Sequence, residues 1–74
     1  MEGELQRRVG RNLRAHRDAR GLSQEAFAEV AGVHRTYMGG IERGERNLTL
    51  KAVERIAGRI GVDPLDLLAD DAGA

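Results

Sequence analysis

The fold is decided by residues 24–43, which read Gln24-Glu25-Ala26-Phe27-Ala28-Glu29-Val30-Ala31-Gly32-Val33-His34-Arg35-Thr36-Tyr37-Met38-Gly39-Gly40-Ile41-Glu42-Arg43. Two short helical patterns lie on either side of Gly32. In the first, Phe27, Ala28 and Ala31 fall on one face at helical spacing; in the second, Met38 and Ile41 stand three apart and face inward. Two short helices joined by so tight a turn cross closely and steeply. The crossing requires a small residue where the backbones approach, which Ala28 supplies. The turn requires a residue that adopts a left-handed backbone at little cost, which Gly32 supplies. Phe27, Ala31, Val33, Met38 and Ile41 flank the crossing with apolar surface.

Outward from this pair, the pattern stays helical. Residues 4–19 repeat Leu5, Val9 and Leu13 every four positions, one face of a first helix that Gly21 ends. Ser23 is placed to cap the second helix, residues 24–31. The third spans 34–43 and stops at Gly44. Thr49 caps a fourth over 50–60, where Val53, Ile56, Ala57 and Ile60 follow the amphipathic template and Gly61 closes the run. Asp63-Pro64 restarts a short fifth helix over 64–68, with aspartate at the cap and proline in the first turn. Residues 69–74 read as a frayed tail. The aromatics are only Phe27 and Tyr37, and no alternating apolar run suggests a strand. The expectation is one all-α domain of five helices over 1–74, with a helix-turn-helix at helices two and three. A chain of 74 residues buries only about 60% of its unfolded surface, so pairing with a second copy would add stability.

Formal net charge is zero, but its distribution is uneven. All twelve cations, eleven of them arginine, lie within 7–59, a stretch with six acids and hence a surplus of six positive charges. The other six acids sit at the two ends. Phosphate responds to the local field, so a basic body with acidic ends is compatible with nucleic acid. Cysteine is absent, which excludes disulfides and thiolate metal sites. The polar start lacks a signal-peptide pattern, and no apolar run approaches the ~20 residues that span a bilayer, so a soluble cytoplasmic protein without membrane attachment is expected. Catalysis has little support. His16 and His34 are the only histidines, Ser23 is the only serine and already serves as a cap, and neither paired carboxylates, metal-ligand spacing nor a phosphate loop after a strand occurs. No enzyme activity, cofactor, metal or small-molecule ligand is expected.

Gly21-Leu22-Ser23-Gln24-Glu25, Ala28, Ala31-Gly32-Val33, Tyr37, Ile41-Glu42-Arg43-Gly44, Leu48-Thr49-Leu50-Lys51 and Gly61-Val62 resemble the lambda-repressor-like, or XRE-type, helix-turn-helix regulators. Arg35-Thr36-Tyr37, with 41–47, is similar within that family to the small controller proteins of restriction–modification systems. The resemblance covers about residues 13–68. It implies a five-helix bundle that binds double-stranded DNA as a homodimer, with helix three in the major groove. It implies roles as well. Gln24 would meet phosphate at the start of helix two. Arg35 and Thr36 would read base edges, and Tyr37 would contact base or backbone. Arg43 and Arg46 would clamp phosphate, Arg46 with reach to a base. Arg17 and Glu42 would form an ion pair joining helices one and three. Arg7, Arg8 and Arg11 read as solvated.

Two positions depart from the family pattern. Gly39-Gly40 interrupts the recognition helix at roughly 0.8–1 kcal/mol per glycine relative to alanine. Such a site reads with fewer side chains or with backbone brought unusually close to DNA. His34 replaces the usual small capping residue and is expected to cap poorly, or to meet phosphate as a cation at low pH. Because one helix reads few base pairs, a dimer on half-sites about one turn apart is expected. Leu48, Leu50, Val62, Leu65, Leu67 and Leu68 exceed what a small core needs, and so are candidates for its interface. Two rival readings remain at the level of sequence: an antitoxin whose main partner is a protein, and an interaction module docking RNA polymerase or a coactivator. The antitoxin's only spare segment is the short 69–74. The interaction module leaves exposed Arg35, Thr36, Arg43 and Arg46 unexplained. Operator, regulated gene and sign of regulation are not legible here.

Overall fold

The computed structural model describes residues 3–70. Five helices follow in order: α1 Glu4–Ala19, α2 Gln24–Ala31, α3 Arg35–Glu42, α4 Leu50–Ile60 and α5 Pro64–Leu67. No strand occurs among the described residues. Side-chain caps account for the starts of α2 to α5. Ser23 Oγ accepts from the Ala26 amide at 3.1 Å, Thr49 Oγ1 from Ala52 at 3.0 Å, and Asp63 Oδ1 from Leu65 at 2.9 Å. His34 caps after all: its Nδ1 accepts from the Thr36 amide at 3.1 Å. A neutral imidazole presents one acceptor nitrogen, and at an extended backbone position that nitrogen reaches the first turn as a short polar side chain would. Helix three accordingly begins at Arg35. Gly32 has φ 77°, the left-handed value the tight turn needs.

The core lies where α1, α2, α3 and α4 converge. Leu13, Phe27, Met38, Ile41, Ile56 and Ile60 are fully buried, with Val9, Ala28, Ala31, Val53, Ala57 and Leu67 around them. The turn-spaced pattern of α1 fails at its first member. Leu5 is exposed on the rim of a groove lined also by Val9, Leu48, Leu50, Val53 and Leu68. Leu67 departs in the other direction. It is 3% exposed inside a single protomer, so it belongs to the core rather than to a partner face. Leu48, Val62 and Leu68 pack half-buried against the core, while Leu50 (74%) and Leu65 (71%) stand open.

Two residues of α1 that the sequence reading passed over set the arrangement. A Cβ on Gly10 would stand 2.2 Å from the carbonyl oxygen of Ile41 and 2.8 Å from that of Glu42, so α1 lies backbone-close against the end of α3. Asn12, buried two residues on, donates from Nδ2 to the carbonyls of Asp66, Leu67 and Ala69 at 3.1, 2.8 and 2.9 Å. Past α5, Arg11 donates to the Asp70 carbonyl at 2.9 Å and Arg8 pairs with the Asp70 carboxylate at 3.3 Å. Arg8 is part-buried and paired with Glu4 and Asp70, whereas Arg11, although bonded to Asp70, stays exposed as expected. The remainder of the expected tail, 71–74, lies outside the described residues. Among the described residues, no helix is long and apolar enough to cross a membrane.

Candidate nucleic-acid interface

The start of α3 points outward. Arg35 has a side chain 66% exposed, and Thr36 beside it is also exposed. The backbone explains this. Met38 and Ile41 turn into the core, which leaves the first turn of α3 on the open side of the crossing, while Gly39 and Gly40 are covered by side chains rather than by the core. Arg35 is steadied, without being buried, by Glu25 of α2 at 3.5 Å. Ser23, Gln24, Glu25, Arg35, Thr36, Gly39 and Arg43 line one open cleft between the start of α2 and the exposed side of α3.

A buried network sits beneath this cleft. Arg17 donates from Nε to Glu42 Oε2 at 2.8 Å and from Nη2 to Oε1 at 3.1 Å, so the ion pair expected from the family resemblance forms, and it is bidentate. Glu42 is 3% exposed at its side chain, so its charge needs these partners. The pairing in turn raises the Arg17 pKa above its ordinary value, chiefly through the hydrogen bond to Glu42. Arg17 also donates to the Leu22 carbonyl at 3.1 Å, and Gln24 Nε2 donates to Glu42 Oε1 at 3.0 Å. A carboxylate only accepts, so the amide nitrogen of Gln24 must face it. The phosphate role expected of Gln24 therefore falls to its second N–H or to the backbone amides at the start of α2.

Tyr37 is half-buried and packs on the core, with the Arg46 guanidinium 5.2 Å from its ring centroid, a cation–π distance. Arg43 is exposed and held by Glu45 at 3.1 Å. The two glycines are not bare: Arg43 and Gln24 lie over Gly39, and Arg46 lies over Gly40, where an added Cβ would meet its Nε at 2.9 Å. The site thus brings Gln24, Arg35, Thr36 and Arg43 into one cleft, with Tyr37 and Arg46 stacked beside it. Gln6 was missed by the sequence reading. Its amide donates to Asn47 Oδ1 and ties α1 to the connector that carries Arg46. A lone polar residue on a helix offers no signal that would single it out.

No group of three or more His, Asp or Glu side chains able to hold a metal occurs among the described residues. The polar cleft between α2 and α3 offers donors spread along a helix face, the geometry for a polyanion's edge.

A helix-turn-helix domain family model matches residues 8–70. The chain belongs to that family, as its fold and crossing helices already indicate. It is similar to controller proteins of restriction–modification systems. Over 45 residues it is 49% identical to the control protein C.SmaI of Serratia marcescens, covering 61% of this chain and 54% of that one. Over 47 residues it is 49% identical to the control protein C.BamHI of Bacillus amyloliquefaciens, covering 64% and 58%. These matches span little more than half the length of the two relatives. The solved structure of the restriction-modification controller protein C.AhdI from Aeromonas hydrophila superposes with a TM-score of 0.74 at 40% identity, over 84% of this chain and 94% of that one.

Proposed function

We propose that this chain binds double-stranded DNA sequence-specifically as a transcriptional regulator, working as a homodimer on a palindromic operator, with α3 in the major groove. The observation that carries the reading is the outward stance of Arg35 and Thr36 at the start of α3, above a buried network that fixes α1, α2 and α3 together. Arginine pairs bidentately with guanine O6 and N7, and threonine offers a hydroxyl or a methyl to a base edge. Tyr37 and Arg46 form a stacked pair at the rim of the groove-entering face, and Gln24 with the α2 amides meets phosphate. The similarity to controller proteins supports a role in controlling a restriction–modification system, with the protein's own promoter among its targets. RNA polymerase is the partner through which bound protein would act.

The homodimer face is assigned to Leu48, Leu50, Val62, Leu65 and Leu68. Leu67 is left out because it serves the core. Leu50 and Leu65 are the exposed anchors, and Leu5 joins them at the groove rim.

Selection of bound sequences from random duplexes tests the function directly. A palindromic consensus is expected, and Arg35→Ala should lose about 1–3 kcal/mol of binding and relax one base pair per half-site. Wild-type protein indifferent to duplex sequence at moderate salt would overturn the reading. Leu65→Asp should shift the sedimentation profile from dimer to monomer; an unchanged profile would remove α5 from the interface.

A further inference from the structure

We infer that Arg43 reads a guanine in the major groove, and that Gly39 and Glu45 position it to do so, an inference that rests on the DNA-binding reading above. On a helix, residues at i, i+3 and i+7 share a stripe, and Thr36, Gly39 and Arg43 have that spacing. Arg43 is the C-cap residue of α3, from which an arginine is free to extend away into the connector. It folds back instead. Its Nη1 stands 3.2 Å from the point where a Cβ on Gly39 would be, so the missing side chain is the space that admits the guanidinium. Arg43 therefore lines the same cleft as Arg35 and Thr36 rather than the periphery.

Two further contacts select a base over a phosphate. Glu45 Oε1 accepts from Arg43 Nε at 3.1 Å, which leaves the terminal Nη1 and Nη2 as an end-on fork matching guanine O6 and N7. A phosphate clamp needs no such fixed direction, because phosphate oxygens accept from many angles. Gln24 supplies the other contact. With its nitrogen committed to Glu42, its Oε1 is the atom that lies over Gly39, 3.3 Å from the same Cβ point. A carbonyl oxygen there is compatible with a guanidinium and repels a phosphate. The bare Gly39 is thus a seat for a base-reading side chain donated from the end of the helix.

The test is sequence selection from random duplexes, together with salt-dependent binding, using the full chain and the variants Arg43→Ala, Arg43→Lys, Gly39→Ser and Glu45→Gln. Arg35→Ala serves as the reference. Arg43→Ala is expected to lose a guanine preference at one position per half-site, different from the one lost in Arg35→Ala, with discrimination there falling roughly 5- to 150-fold. Arg43→Lys should retain the salt slope without restoring the preference. Gly39→Ser and Glu45→Gln should weaken the same position while melting at or near the wild-type temperature, which separates positioning from folding. The inference is overturned if Arg43→Ala weakens all duplexes alike, flattens the salt slope by about 0.9 per contact and keeps every base preference, the signature of a phosphate clamp alone. Wild-type protein that selects no sequence overturns this inference and the DNA-binding reading together. Selection by Arg43→Ala with every base preference of the wild type retained overturns only this one.

Discussion

Arginines at the back of the molecule and arginines along α3 are one residue type put to opposite uses. At the back, Arg20 donates to the Ile60 carbonyl at 2.7 Å, Arg59 to Val30 at 3.2 Å and Arg11 to Asp70 at 2.9 Å, and beneath the cleft Arg17 grips buried Glu42. Arg20 and Arg59 satisfy carbonyls that the ends of α4 and α2 leave without partners, where the helix dipole also favours a cation. Along α3 and its exit, Arg35, Arg43 and Arg46 touch only exposed Glu25, exposed Glu45 and the Tyr37 ring. Such contacts hold direction at little energetic cost and leave the guanidinium ends open to a polyanion. The surplus of positive charge over 7–59 therefore overstates the DNA footprint, because a large share of it is spent inside the protomer.

On that division, variants of the groups engaged inside the protomer change melting, and variants of the exposed arginines of α3 and its exit change base preference instead. The largest expected effect is Gly10→Ala. With a Cβ driven into the Ile41 carbonyl, it should cost more than about 3 kcal/mol, the upper end for overpacking, and lower Tm by about 12 °C or more in a thermal melt. Next is Glu42→Ala, which strands Arg17 and frees Gln24. A loss of about 3 kcal/mol in urea titration is expected, the low end for breaking a buried pair, because Arg17 retains some access to water. Arg59→Ala should cost about 1 kcal/mol, a few degrees of Tm, with the selected DNA sequence unchanged. A changed sequence there would break the comparison.

The smallest effect is a pH dependence at His16. Burial, and then the nearby charge of Arg20, hold its pKa below the ordinary value, and its Nε2 is buried without a partner against Phe27. Because the folded value is the lower one, the unfolded chain takes up the proton first. Stability is full above about pH 6.5 and declines as pH falls from there through the folded value. Urea midpoints at pH 7.5 and 5.5 should differ, and His16→Phe should reduce the difference. An identical difference in that variant would remove His16 as its source.

Helix positions were legible because each helix carries its own punctuation: Ser23, Thr49 and Asp63 at starts, Gly32 and Gly61 at ends. The outward face of α3 was legible for the same reason, since Met38 and Ile41 fix which side turns in. His34 was misread because capping was judged by residue size, whereas one ring nitrogen in the right place suffices. Leu67 was misread because an apolar residue on a one-turn helix has no periodicity to say which face is buried. Gly10 and Asn12 were invisible for a different reason. Their roles depend on backbone atoms more than thirty residues away, and no local pattern encodes those partners.

Asn12 gathers two carbonyls of α5 and that of Ala69 beyond it on a single amide group, two hydrogens serving three oxygens. Arg8 and Arg11, on the same face of α1, hold Asp70 beside it, so the fastenings of this segment share one support. Amide hydrogens from Leu65 to Ala69 should therefore exchange with solvent together, as a single cooperative opening, rather than unravelling residue by residue from the end.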